Sequence, residues 1–226
     1  MKLGVLFSGG KDSTLALFKA KKEHEIVCLI NIVSENPSSY MFHTPNIHLA
    51  EKQAECLGLP LLVYKTKGEK EKELSDLEQA IKEAVKKYHI EGIVTGALAS
   101  VYQASRIQKI CDKLKIKCVN PLWQMNQFDV LEELIKNNFK VMIIGVFAYP
   151  LDEKWLGRMI DKKMIAEMRK LTNKYGINPA GEGGEIETLV LDCPLFKKRL
   201  EIIKADKKWM KDSGIYEIKE TKLIEK

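Results

Sequence analysis

Leu3-Gly4-Val5-Leu6-Phe7-Ser8-Gly9-Gly10-Lys11-Asp12-Ser13, followed at once by Thr14-Leu15-Ala16-Leu17-Phe18, is the stretch that decides the fold. An apolar run, a Gly-Gly pair and then apolar residues at helical spacing read as strand, tight turn and helix. In an α/β protein that context holds a phosphate. Two adjacent glycines let the backbone turn tightly and bring its N–H groups close to an anion. Ser8 and Ser13 add hydroxyl donors, Lys11 adds positive charge, and the helix beginning near Asp12 turns its positive end toward the same place. A plain strand-to-helix turn needs neither the serines nor the lysine. The stretch is not a Walker A loop, because Asp12 separates Gly10-Lys11 from Ser13, and it contains no Gly-x-Gly-x-x-Gly.

Outward from this point, strands and helices alternate. The patterns predict a strand at 3–7, a helix at 12–22 and a continuously apolar strand at 26–32. A polar, proline-bearing loop at 33–45 precedes a helix at 46–57 that starts on Asn46 and stops at Gly58. A strand at 61–65, a helix at 71–88, a strand at 92–95, a helix at 100–114 and a short strand at 117–119 continue the series. A helix at 127–137 and a strand at 139–147 complete it. Such alternation with short links predicts right-handed crossovers and a parallel sheet with helices on both faces. Ligands bind such sheets at the carboxyl ends of the strands. The Ser8–Ser13 turn, the loop after Ile32 and the turn Gly96-Ala97-Leu98 all lie there.

Beyond Pro150 the texture changes. A helix at about 158–175, a glycine-rich stretch at 176–184, a strand at 188–192 and two strand patterns around Lys211-Asp212-Ser213-Gly214 read as a smaller α+β subdomain ending in a hairpin. The expected division is 1–150 for phosphate binding and 151–226 for substrate recognition.

The chain has 226 residues, 45% hydrophobic and 30% charged, as in water-soluble globular proteins. No apolar run approaches the length of a membrane span and no signal pattern precedes the first strand, so a cytoplasmic protein without a membrane partner is expected. Five scattered cysteines without a C-x-x-C pair argue against a disulfide framework, a zinc ribbon or a Cys-ligated cluster. The net charge of +6 is spread along the chain and permits an RNA partner without arguing for a stable one. The mixed-sign run at 65–73 reads as a solvated loop and helix start. The histidines His24, His43, His48 and His89 show no metal spacing; His43 falls in the loop after the second strand.

Two further constellations stand out. In Gly181-Glu182-Gly183-Gly184-Glu185-Ile186-Glu187-Thr188, three carboxylates repel one another across glycines. A cation would relieve that repulsion; the alternative is a solvated loop. Past the Gly96 turn, Tyr102 and Arg106 are four apart on a helix that Ser100 would cap, with Gln103 alongside. An Arg on the first turns of a helix at the ligand edge suits a phosphate or carboxylate; the alternative is an ordinary surface Arg.

Ser8-Gly9-Gly10-Lys11-Asp12-Ser13 resembles the PP-loop of the ATP pyrophosphatase (adenine nucleotide α-hydrolase) superfamily, Ser-Gly-Gly-x-Asp-Ser. With the turn from Gly96 to Ser100, Tyr102-Gln103, Arg106, Pro121-Leu122-Trp123 and the Gly-Glu-Gly-Gly-Glu stretch with Glu187-Thr188, the chain is similar to the diphthine–ammonia ligase family in its short archaeal form, departing at Ile186. The resemblance implies a Rossmann-like (HUP-type) α/β fold and ATP-dependent amidation of diphthine on translation elongation factor 2, through an acyl-adenylate attacked by ammonia, with free ammonium as the donor. It implies that Ser8, Gly9, Gly10, Asp12 and Ser13 hold the departing pyrophosphate with Mg²⁺ at Asp12, and that Lys11 sits at the variable position. Asn31, Ile32, Gly96, Ala97 and Leu98 become candidates for adenine and ribose. Tyr102, Gln103, Arg106, Gly183 and Gly184 become candidates for substrate. Glu182, Glu185 and Glu187 become candidates for ammonium, Mg²⁺ or the trimethylammonium of diphthine. A tRNA-modifying PP-loop enzyme and a non-catalytic nucleotide-binding protein are the competing readings, and a homo-oligomer is compatible with all three.

Overall fold

Residues 1–34, 49–67 and 72–226 are described by a computed structural model. Most of the loop expected at 33–45, together with His43, His48 and the first residues of the helices expected at 46 and 71, lies outside them. The described chain divides into two units, Met1–Trp123 and Gln124–Lys226.

The first unit follows the alternation in the sequence: β1 (Lys2–Leu6), α1 (Lys11–Ala20), β2 (Glu25–Ser34), α2 (Leu49–Leu57), β3 (Leu61–Thr66), α3 (Lys72–Tyr88), β4 (Gly92–Val94), α4 (Val101–Leu114) and β5 (Lys117–Val119). All its strand pairs are parallel, in the order β3-β2-β1-β4-β5. The chain walks outward from β1 to β3 and then returns to place β4 on the other side of β1. The reversal in strand order therefore falls between β1 and β4, and the loops after these two strands form the crevice where a Rossmann-like sheet binds its ligand.

Burial explains the helices. On α3, Leu77, Ala80, Ile81 and Ala84 are fully buried at helical spacing, and they pack with Cys28, Ile30 and Ile32 of β2, Ile93 of β4, and Ile107, Ile110 and Cys111 of α4. Alternation along β2 sends Leu29 and Asn31 to the opposite face. On α1, Leu15, Ala16 and Leu17 are wholly buried, and this helix packs against β1 and β4.

The second unit contains α5 (Gln127–Lys136), β6 (Lys140–Val146), a 3₁₀ turn (Glu153–Trp155), α6 (Lys162–Tyr175), β7 (Ile186–Asp192), β8 (Lys198–Met210) and β9 (Ser213–Glu225). Its sheet is antiparallel, in the order β7-β6-β9-β8. Three expectations need correcting here. The strand at 139–147 does not extend the parallel sheet but forms a central strand of this one. Its run of buried Val141, Ile143, Ile144 and Val146 is what any strand covered on both faces shows, so the pattern carries no strand direction. The division accordingly falls after Trp123, ahead of the change of texture at 150. Finally, the hairpin turns on Lys211-Asp212, with Lys211 at φ 53°, while Gly214 lies within β9. A Cβ at Gly214 would come within 2.4 Å of the Trp209 ring and 2.8 Å of the Lys208 carbonyl oxygen, so packing, not turning, requires glycine there.

Candidate active site

The loop after β1 folds as its residues dictate. Gly9 sits at φ 80°, a left-handed conformation that side chains disfavour. Gly10 is the N-cap of α1 and offers no side-chain cap to its first amides. The two serines close the loop on itself: Ser8 Oγ and Ser13 Oγ lie 3.2 Å apart, the Ser8 amide donates to Ser13 Oγ at 3.3 Å, and the Gly10 amide donates to Ser8 Oγ at 3.3 Å. Lys11, only 3% exposed, places its Nζ 2.8 Å from Asp12 Oδ2. Asp12 Oδ1 is buried with no hydrogen-bond partner among the described residues. Ser13 Oγ in turn donates to the Gly10 carbonyl at 3.3 Å, so the loop gathers N–H and O–H donors at the positive end of a helix, with one carboxylate oxygen left over.

The loop after β4 meets this one directly. A Cβ on Gly96 would lie 2.8 Å from the Ser13 amide nitrogen and 2.9 Å from the Asp12 carbonyl carbon. Only glycine lets the second loop rest on the first turn of α1. Thr95 fixes that loop: its Oγ1 accepts from the Ala97 amide at 3.1 Å and donates to Asn120 Oδ1 at 2.6 Å. Ser100 caps α4 by accepting from the Gln103 amide, as its sequence position predicts. Arg106 lays its guanidinium over the Tyr102 ring, 3.3 Å from the centroid. Asn31 and Ile32, by contrast, are interior residues of β2, 2% and 5% exposed, and Asn31 donates to the Phe7 carbonyl at 2.7 Å.

In the second unit the three glutamates have separate surroundings. Glu185 is drawn inward: Oε1 accepts from the amide and side chain of Asn178, and Oε2 from the Gly183 amide at 2.8 Å. Gln127 completes the network, donating to Asn178 Oδ1 at 3.2 Å and accepting from the Ala180 amide at 3.0 Å. Glu187 stands on β7 opposite Gly145, and Glu182 lies in the turn between Gly181 and Gly184, which take φ of 74° and 85°. Both side chains are half-buried. Among the described residues no three His, Cys, Asp or Glu side chains are grouped to hold a metal ion. None of the five cysteines is in a disulfide; burial pushes the Cys28 thiol up to about 12 and the Cys193 thiol up to about 11, so neither is a poised nucleophile.

Sequence reasoning missed Gln53, Thr95, Asn120, Gln127 and Asn178. Gln53 leaves the clearest signal: a polar residue four after Leu49 and four before Leu57, on the face of α2 that is otherwise apolar, and wholly buried. Thr95, Asn120 and Asn178 lie in loops, where no periodicity marks them, and Gln127, the first residue of α5, reaches out to a loop distant in the chain.

A parallel sheet with a Ser-Gly-Gly-x-Asp-Ser loop at its switch point defines an α/β protein of the PP-loop class. Residues 1–118 match the family described as diphthamide synthase, N-terminal domain, and residues 126–224 match its C-terminal domain. The chain is 38% identical to the human diphthine–ammonia ligase over 88% of this chain and 82% of that protein. It is 37% identical to the mouse enzyme over 89% and 83%, and 35% identical to that of Schizosaccharomyces pombe over 95% of this chain and 38% of that longer protein. The chain belongs to the diphthine–ammonia ligase family.

Proposed function

We propose that this protein amidates diphthine on translation elongation factor 2 to diphthamide, using ATP and free ammonium and releasing AMP and pyrophosphate. The observation that carries the reading is the donor-lined loop at the switch point, in a chain that belongs to this family along both of its units. The diphthine carboxylate attacks the α-phosphorus of ATP; the bond to the bridging oxygen breaks, and pyrophosphate leaves with the negative charge. The loop of Ser8, Gly9 and Gly10, through the Ser8 and Gly10 amides, with the hydroxyls of Ser8 and Ser13 and the first turn of α1, meets that charge as it develops. Ammonium gives up a proton to solvent; the resulting ammonia adds to the acyl carbon, a further proton leaves its nitrogen, and the bond to the AMP oxygen breaks, which forms the amide and frees AMP. Asp12, whose Oδ1 has no partner among the described residues, would hold Mg²⁺, which would supply charge neutralisation on the phosphates.

The Gly96–Leu98 turn and Ile32 border adenine and ribose in this reading, while Asn31 holds the loop. The stacked Tyr102–Arg106 pair, with Gln103, meets the substrate's carboxylate or phosphate. Gly183, Gly184, Glu182 and Glu187 receive a cation, ammonium or the trimethylammonium of diphthine, and Glu185 shapes their loop. No helix among the described residues is long and apolar enough to cross a membrane, consistent with a cytoplasmic enzyme acting on elongation factor 2. Purified protein is expected to convert ATP to AMP and pyrophosphate only with diphthine-bearing elongation factor and ammonium. ADP as product, or equal turnover with bare tRNA, would sink the reading.

A further inference from the structure

We propose that Gln53 and Asn31 act together as a positioning clamp that aims the amides of the phosphate loop. Neither touches the reacting atoms, and the inference rests on the loop's reading as the pyrophosphate site. Gln53 on α2 is 0% exposed and donates through Nε2 to the Gly9 carbonyl at 2.9 Å. Asn31 on β2 is 2% exposed and donates through Nδ2 to the Phe7 carbonyl at 2.7 Å. Two buried side-chain amides from neighbouring elements thus hold alternate carbonyls of one loop on its inner side.

Peptide geometry gives this a consequence. In a planar trans peptide the C=O and the following N–H point in opposite directions. Holding the Phe7 carbonyl inward sends the Ser8 N–H outward, and holding the Gly9 carbonyl inward does the same for the Gly10 N–H. Among the described residues both outward amides are engaged by loop hydroxyls alone, Ser13 Oγ and Ser8 Oγ, each at 3.3 Å. These are long for N–H···O bonds, and a phosphate oxygen accepts a shorter and stronger one. Gln53 and Gly9 are also fitted to each other. A Cβ on residue 9 would fall 2.0 Å from Gln53 Oε1, so the amide occupies the space that glycine leaves free.

The test is a Gln53→Met variant, which keeps the side-chain length and removes the donor, titrated calorimetrically with inorganic pyrophosphate and assayed for amidation. Loss of one aimed amide is expected to weaken pyrophosphate binding and raise the KM for ATP by about tenfold, with the KM for ammonium unchanged. A folded Gln53→Met protein with wild-type pyrophosphate affinity overturns the clamp. The wild-type chain supplies a second readout that does not depend on how the variant folds. Its Ser8 and Gly10 amide NMR resonances should shift when pyrophosphate is added, and saturation without those shifts overturns the proposal. Failure of the wild-type chain to bind pyrophosphate at all would instead remove the phosphate-site reading beneath it.

Discussion

Glu185 shows how much a side chain's role depends on partners that the sequence does not place beside it. In sequence it is one of three carboxylates in search of a cation; in the structure its two oxygens accept from Asn178 and Gly183 and hold the turn of the acidic loop. Its neighbours Gly181 and Gly184, at positive φ, supply the bend, and Glu185 supplies the tie. Replacing Glu185 by Gln leaves one oxygen for the Asn178 pair and sets an NH₂ donor against the Gly183 N–H, at a local cost of about 1–3 kcal/mol. Amide hydrogen exchange across 181–184 is expected to speed up and amidation to fall about tenfold, while ATP affinity stays at the wild-type value. Unchanged exchange would mean that Glu185 is not the tie. At this scale the loop glycines and serines were legible, because their chemistry is local. Asn178 and Gln127 were not, because what they do depends on contacts with residues distant in the chain.

Elements were legible wherever the period of apolar residues matched their geometry. The described helices and strands of the first unit follow from it, and so does the parallel sheet, since short links favour right-handed crossovers; the strand order that puts the switch between β1 and β4 comes from the structure. What periodicity does not contain is strand direction, which is why β6 was read into the wrong sheet. Between elements, charge supplies detail that pattern does not. Glu78 on α3 pairs with Lys82 one turn on at 2.6 Å and with Lys113 of α4 at 2.8 Å. The hydrogen bond from Lys113, then that from Lys82, holds its carboxyl below the usual range. A folded-state value below the unfolded one gives stability that is present above the unfolded pKa and lost as pH falls through the lower folded value. With both lysines partly exposed the effect is small. Glu78→Gln should lower Tm by about 1–3 °C at pH 7 and leave it at the wild-type value near pH 2. Thermal melts across that range check the sign; a gap that widens toward acid would contradict it.

For the whole molecule, we propose that the two units divide the reaction between them. The first carries the phosphate loop and its supports; the second carries the acidic turn, with Glu187 half-buried on β7. If ATP chemistry belongs to the first unit and substrate choice to the second, two conservative substitutions should separate cleanly. Asp12→Asn removes the carboxylate charge beside Lys11 and is expected to depress pyrophosphate release and amidation together, by about a hundredfold. Glu187→Gln keeps the side chain's shape and removes its charge, so ATP binding should be unaffected while one KM rises. Which KM rises identifies the cation: that for ammonium if Glu187 serves the nucleophile, that for the diphthine-bearing elongation factor if it faces the trimethylammonium group. Steady-state kinetics with each substrate varied in turn distinguishes the two. A Glu187→Gln protein whose ATP affinity falls below the wild-type value would show that the division of labour is wrong, because a residue of the second unit would then be acting on the nucleotide itself.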